Sequence, residues 1–257
     1  MSHNDNKKKS ALVTGASSGI GRATAIRLAQ EGFGVALTGR NRTVLEETAG
    51  FIGSTSDTVI LPADLSQEDE ARTCVKRTID HFGELDVLVN AAGIIGSGTV
   101  ESTSLDAWDT MMNINLRSVF LLMQLAVPHL EKSKGAIVNV SSVTGIRAFP
   151  GVLAYCVSKA GIDQLTRCAA LELAEKGIRV NAVNPGVVRT NLHRRGGMDE
   201  KAYAAFVQHS TSTHPLGRIG EPEEVAELIV FLATDRSGWI TGTTISIDGG
   251  RAQTCAR

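Results

Sequence analysis

The chain lacks most of the features that tie a protein to a membrane, a metal or a nucleic acid. Its four cysteines, Cys74, Cys156, Cys168 and Cys255, show no paired spacing for zinc. A chain of this length needs no disulfide staples, so they read as reduced thiols of a cytoplasmic protein. No apolar run reaches the roughly eighteen residues that a membrane helix requires. The opening "MSHNDNKKKS" is polar and carries no signal-peptide pattern; residues 1–9 read as a frayed tail. Lys7, Lys8 and Lys9 form the only basic run. With a formal net charge of -1, the chain has no electrostatic footprint for nucleic acid. His193, His209 and His214 crowd one segment without ligand spacing, so no metal is expected. No internal repeat, linker or low-complexity run divides the chain.

Apolar strands do alternate with amphipathic helical patterns. The strands read as Ser10 to Val13, Phe33 to Thr38, "TVILPADL" ending at Asp64 and Leu65, "LDVLVN", "GAIVNV", "IRVNAV" and "TTISI". This alternation predicts a Rossmann-type doubly wound α/β fold, a seven-stranded parallel sheet with helices on both faces. A long helix is expected at about 105–130, with Asn115 inside it, either a satisfied core amide or part of a proton path. The segment at about 187–220 is less regular and reads as a substrate lid. Pro222 starts a helix with Val225, Leu228, Ile229 and Leu232 as its apolar stripe. The whole of 1–257 reads as a single dinucleotide-binding domain.

Ligands of such sheets bind at the carboxyl ends of the strands. Thr14, Gly39, Asp64, Asn90, Ser142 and Pro185 all fall at or just beyond such ends. The first strand runs into "TGASSGIG", where Gly15, Gly19 and Gly21 precede a helix. That arrangement cradles phosphate, because glycines admit close backbone approach and a helix N-terminus offers free N–H groups. No carboxylate follows the second strand until Glu46; Arg40 stands there instead, which suits a 2′-phosphate and favours NADP. Asp64 could accept from an adenine amino group or cap the next helix.

Tyr155 and Lys159 share a helix face, followed by Ile162, Leu165 and Ala169 at helical spacing. A neighbouring ammonium favours phenolate, so Lys159 is expected to lower the Tyr155 pKa. Cys156 is turned about 100° off that face and is not expected to take part. Taken alone, Tyr-x-x-x-Lys is a weak motif and fits a core aromatic beside a solvated lysine.

In order and spacing, "TGASSGIG", "NAAG", "NVSS", "YCVSK", "NPGVVRT" and "ITGTTISIDGG" resemble the short-chain dehydrogenase/reductase family from Ser10 to Gly250. The C-terminal "GRIGEPEEVAELIVFLATD" is similar to the branch of the 3-oxoacyl-[acyl-carrier-protein] reductases. The resemblance implies a catalytic tetrad at Asn115, Ser142, Tyr155 and Lys159. Tyr155 would be the general acid or base, and Ser142 would polarise the carbonyl. Lys159 would lower the tyrosine pKa and bind the nicotinamide ribose, and Asn115 would order a relay water. It implies cofactor contacts at Gly15, Ser17, Ser18, Gly19, Ile20, Gly21, Asp64, Leu65, Asn90, Gly93, Tyr155, Lys159, Pro185, Gly186, Val188 and Thr190.

Ser18 stands where many NADP-using members carry a basic residue, so NADP rests on Arg40, with Arg22 or Arg42 as helpers. The resemblance also implies a homotetramer joined through the helices at about 105–130 and 153–176 and the last helix and strand. A small carbonyl or alcohol substrate is expected, held in an apolar pocket around Ile94 and Val143. The competing readings are a non-catalytic NADP sensor, an NAD-dependent dehydrogenase of a sugar, steroid or other alcohol, and a dehydratase or epimerase using the same tyrosine.

Overall fold

In the computed structural model, which describes residues 8–254, one parallel sheet carries all seven strands in the order β3-β2-β1-β4-β5-β6-β7. The strands are β1 (Ser10–Thr14), β2 (Gly34–Gly39), β3 (Thr58–Pro62), β4 (Val87–Asn90), β5 (Ala136–Val140), β6 (Arg179–Pro185) and β7 (Thr244–Ile247). The order reverses between β1 and β4, and a crevice opens at that switch point. Parallel strands need crossovers, which here are α1 (Gly19–Gln30), α2 (Arg42–Ile52) and α3 (Glu68–Phe82), then α4 (Leu105–Met112) and α5 (Ser118–Ser133). After β5 come α6 (Val143–Ile146) and α7 (Leu153–Leu173); after β6 come α8 (Leu192–Arg195), α9 (Glu200–Thr213) and α10 (Pro222–Ala233).

Side chains alternate across a strand, so each strand feeds two cores. Leu12, Ala36, Leu88 and Ile137 pack with α3, α5 and α7 on one face. Ala11, Val13, Leu37 and Val138 pack with α1, α2 and α10 on the other. Each fully buried leucine contributes roughly 1.5–3 kcal/mol of transfer free energy. Pro222 opens α10, and Glu221 and Glu224 close a capping box over its first turn. Val225, Ile229 and Leu232 on its stripe are buried.

Five sequence expectations need adjustment. The third strand stops at Pro62, so Asp64 and Leu65 lie in the loop beyond it. The long helix runs to Ser133 and is interrupted by one π-helical turn at Asn113–Arg117, which holds Asn115. The 29 residues Leu105–Ser133 are long and apolar enough to cross a membrane by length and composition, contrary to the expectation of no such run. Their apolar side, including Val119, Leu122, Ala126 and Leu130, is buried against the sheet, as in a core helix.

The segment 187–220 is more regular than expected, because α9 is a helix of 14 residues capped by Asp199. The supposed tail is anchored at Lys9, whose carbonyl accepts from Gly34 N and whose ammonium pairs with Asp235 at 2.8 Å. Residues 1–7, with Lys7, and Cys255 lie outside the described residues.

Candidate active site

The glycine turn is assembled from backbone. Thr14 closes β1, and its Oγ1 accepts from both Ala91 N and Ala92 N at 2.9 Å, locking the ends of β1 and β4 together. Gly15 adopts φ 65°, and a Cβ there would sit 2.9 Å from the Ala91 carbonyl oxygen. A Cβ on Gly21 would overlap the Gly15 carbonyl. Across the crevice, the Thr190 methyl comes within 2.9 Å of where a Gly19 Cβ would stand. Helix α1 begins at Gly19 with no side-chain cap from Ser18 and no acidic residue in its first turn, so its own first turn leaves the positive end of its dipole open.

Of the three arginines considered for a 2′-phosphate, Arg22 is turned inward. It donates to Ser17 O at 2.7 Å and to Thr48 Oγ1 at 3.0 Å, and Thr48 in turn donates to Ala16 O. Arg22 therefore braces the turn, and it also pairs with Glu47 at 3.2 Å. Arg42 pairs with Glu46 at 3.3 Å. Arg40 is exposed just beyond β2, with Asp64 in its field. Asp64 Oδ1 accepts from Ser66 N and Ser66 Oγ, and these bonds hold its carboxyl below the usual range. Asp64 thus shapes the turn into α3. Leu65 is buried in the core.

At the end of β4, Asn90 is buried and donates to Asn139 Oδ1 at 2.9 Å, while its own Oδ1 is buried without a partner. Gly93 is the close approach beyond it. A Cβ there would lie 3.3 Å from Asn115 Oδ1 and 3.7 Å from Lys159 Nζ.

The proton-handling corner lies at the ends of β5 and β6, where α7 begins. Tyr155 and Lys159 are one turn apart and both buried. Ser142 caps α6, accepting from Thr144 N at 3.1 Å, and shares a hydrogen bond with the Tyr155 hydroxyl. Burial pushes the Tyr155 phenol up to about 12, with the Ser142 bond acting the other way. The Lys159 ammonium donates to Val140 O at 2.8 Å and sits 5.7 Å from the Tyr155 ring centroid. Burial also pushes Lys159 down to about 8, opposed by Asp163.

Asn115 is a saturated amide. It accepts from Ile94 N at 2.9 Å and donates to Ile94 O and to Ser158 Oγ. Its side chain clamps the loop after β4.

Pro185 and Gly186 end and follow β6; a Cβ on Gly186 would meet His214 Nε2 at 2.9 Å. That imidazole accepts from Val187 N at 3.1 Å and donates from Nδ1 to Ser210 O at 2.7 Å, tying the end of α9 to the strand end. Val188 bridges to Gly220. The three histidines do not converge. His193 stacks on Phe206, His209 is exposed, and among the described residues no group of three His, Cys, Asp or Glu could hold a metal ion.

Beside Tyr155 a cavity of about 310 Å³ is lined by Ile94, Ile95, Met111 and Ala154, among others. Val143 is buried and does not line it. The sequence reading passed over Asp163 and the contacts of Asn139 and Asn184. The available signal was a carboxylate on the buried stripe of α7 and amides inside otherwise apolar strands.

These residues fit a dinucleotide on three observations: a turn that side chains would fill, an uncapped helix N-terminus facing it, and an orphaned Asn90 oxygen at the crevice. Comparison with known proteins agrees. A family model described as Enoyl-(Acyl carrier protein) reductase matches residues 15–252. A 3-oxoacyl-[acyl-carrier-protein] reductase of Thermotoga maritima is 40% identical over 247 residues, covering 94% of this chain and 97% of its own. A cyclohexanol dehydrogenase of an Acinetobacter species is 36% identical over 255 residues, covering 97% and 96%. A Caenorhabditis elegans short-chain dehydrogenase/reductase of unknown function, solved with cofactor, superposes with TM-score 0.90 at 40% identity, covering 96% of each chain.

Proposed function

The chain belongs to the short-chain dehydrogenase/reductase family, and from that premise we propose that it is an NADP-dependent carbonyl reductase acting on a 3-oxoacyl thioester or a ketone of similar apolar character. The observation that carries this reading is the placement of Ser142, Tyr155 and Lys159 at the same sheet edge as the glycine turn. Gly15 through Gly21 would hold the phosphates and Arg40 the 2′-phosphate. Asp64, Leu65 and Asn90 would flank the adenosine side; Gly93, Pro185, Gly186, Val188 and Thr190 would flank the nicotinamide side. When bound, the nicotinamide supplies the hydride.

The protein supplies the proton and the orientation. Tyr155, kept protonated by burial, donates to the carbonyl oxygen as reduction proceeds. Ser142 Oγ bonds the same oxygen and aligns it. Lys159, near neutral in its affinity for a proton, is the adjacent group from which Tyr155 is reprotonated. In the oxidative direction Tyr155 must become phenolate, and the cation at Lys159 is its nearest support. The apolar cavity by Ile94 and Met111 would receive the body of the substrate, and 187–220, whose Gly196 lies against Ile95 of that lining, would close over it as a lid.

The protein is proposed to be a cytoplasmic homotetramer. Phe120 on α5, Val157 and Leu171 on α7, and the fully exposed Trp239 before β7 offer apolar surface at the expected contact elements. Analytical ultracentrifugation tests this, and a monomer at micromolar concentration refutes it.

The function is tested by following NADPH and NADH absorbance against 3-oxoacyl thioesters, cyclic ketones, steroids and sugars. NADPH-dependent turnover of the thioesters or apolar ketones is expected. Activity only on sugars with NADH favours the NAD-dependent alternative. Conversion without net cofactor consumption favours a dehydratase or epimerase, and binding without any turnover favours the sensor.

A further inference from the structure

Asp163 is a carboxylate with 1% exposure, buried on the α7 face that carries Tyr155 and Lys159. A charge is buried at such a place only with partners. The Asn184 amide donates to Asp163 Oδ1 at 3.1 Å and Oδ2 at 2.9 Å, and also to the Ser142 carbonyl at 2.9 Å. The Ser141 hydroxyl is shared between the carboxylate and Lys159 O, which it reaches at 3.1 Å. Gly145 closes the group, since a Cβ there would lie 2.5 Å from Asp163 Oδ2 and 2.9 Å from Ser141 Oγ. The turn carrying Ser142 is therefore seated on Asp163.

We propose that Asp163 is a positioning residue of the catalytic corner, which seats the Ser142 backbone through Asn184 and Ser141 and serves as the buried counter-charge to Lys159. The charged groups in its surroundings are Lys159 and Arg167, both on α7. The elements packed against it, β6, α6 and the end of β5, present neutral Asn184, Gly145 and Ser141. Asn184 Oδ1 is buried and unpartnered, so the amide is held in one orientation by the carboxylate it faces. Asp163 raises the proton affinity of Lys159 against the burial that lowers it.

The proposal rests on the reading of Tyr155 as proton donor, and two variants test it separately. Asp163→Asn keeps the shape and removes the charge. It is expected to lower kcat about 10- to 100-fold, leave cofactor Kd within about threefold, and move the alkaline limb of the kcat profile about one unit toward acid. Asn184→Ala keeps the charge and breaks the seat; kcat is expected to fall about tenfold with the alkaline limb unmoved. Asp163→Asn protein with normal kcat and an unmoved limb overturns the proposal, even if its melting temperature falls. Asn184→Ala with normal kcat overturns the seating role and stands as the test if Asp163→Asn does not fold. Full activity in Tyr155→Phe would instead overturn the function on which the proposal rests.

Discussion

The glycine turn and the proton-handling corner share one edge of one sheet, yet they are built from different material. The turn is backbone. Gly15, Gly19 and Gly21 are required because a Cβ at each would meet Ala91, Thr190 or the turn itself, and the cation-like pole is the end of α1. The corner is side chain. Tyr155, Lys159, Ser141, Asp163 and Asn184 are buried polar groups whose properties depend on one another. A backbone site tolerates a change of charge nearby but no added volume. A side-chain network tolerates little change in either.

The sharpest way to break the comparison is to add volume to the turn. In Gly21→Val the new side chain overlaps the Gly15 carbonyl, so cofactor affinity is expected to fall more than a hundredfold, or the fold to fail. Isothermal titration with NADPH checks this; near-normal affinity would show that the turn can relax.

In the corner, the buried lysine should register in stability. Lys159 binds its proton near pH 8 in the native state and near 10.5 when unfolded, so between these values the unfolded chain holds a proton that the native chain has lost. Stability is therefore expected to rise with pH across that window, by roughly 3 kcal/mol in full. Tyr155 acts oppositely above pH 10, since the native chain keeps its proton to about 12. Urea unfolding of wild type and Lys159→Met between pH 8 and 10 isolates the lysine: the wild type should gain on the variant as pH rises. Parallel curves would mean that Lys159 is not desolvated.

A smaller effect is expected at Arg40, which carries charge and no packing. Arg40→Asp should shift the NADP/NAD ratio of kcat/KM about tenfold or more toward NAD. An unchanged ratio would remove Arg40 from cofactor choice. The smallest expected effect is at His214. His214→Leu strands Val187 N and should cost about 1 kcal/mol by thermal unfolding. No loss would show that the end of α9 is held by other contacts.

The same division explains what was legible. Alternation of apolar strands with helices gave the seven-stranded sheet, because the five inner strands are buried on both faces and read as apolar runs. The glycine turn was legible because steric demands write glycine directly into the chain. Tyr155, Lys159 and Ser142 were legible through spacing and family likeness. The inward turn of Arg22 was not, since it depends on Thr48 of α2, which is bonded to Ala16 O, accepting from it. Nor was the π turn at Asn115, which follows from clamping Ile94 on both sides. The burial that pushes the Tyr155 phenol up was not legible, because burial is a property of the assembled fold. Asp163 and Asn184 are 21 residues apart, and no local pattern pairs them.

The account depends on the Tyr155 hydroxyl giving the proton while the turn holds the cofactor independently of it. Single-turnover reduction by Tyr155→Phe, with NADPH binding measured on the same protein, tests this directly. The account predicts NADPH affinity within about threefold of wild type and a reduction step slowed about 10²- to 10⁴-fold. A reduction step at the wild-type rate, with NADPH bound, would contradict it.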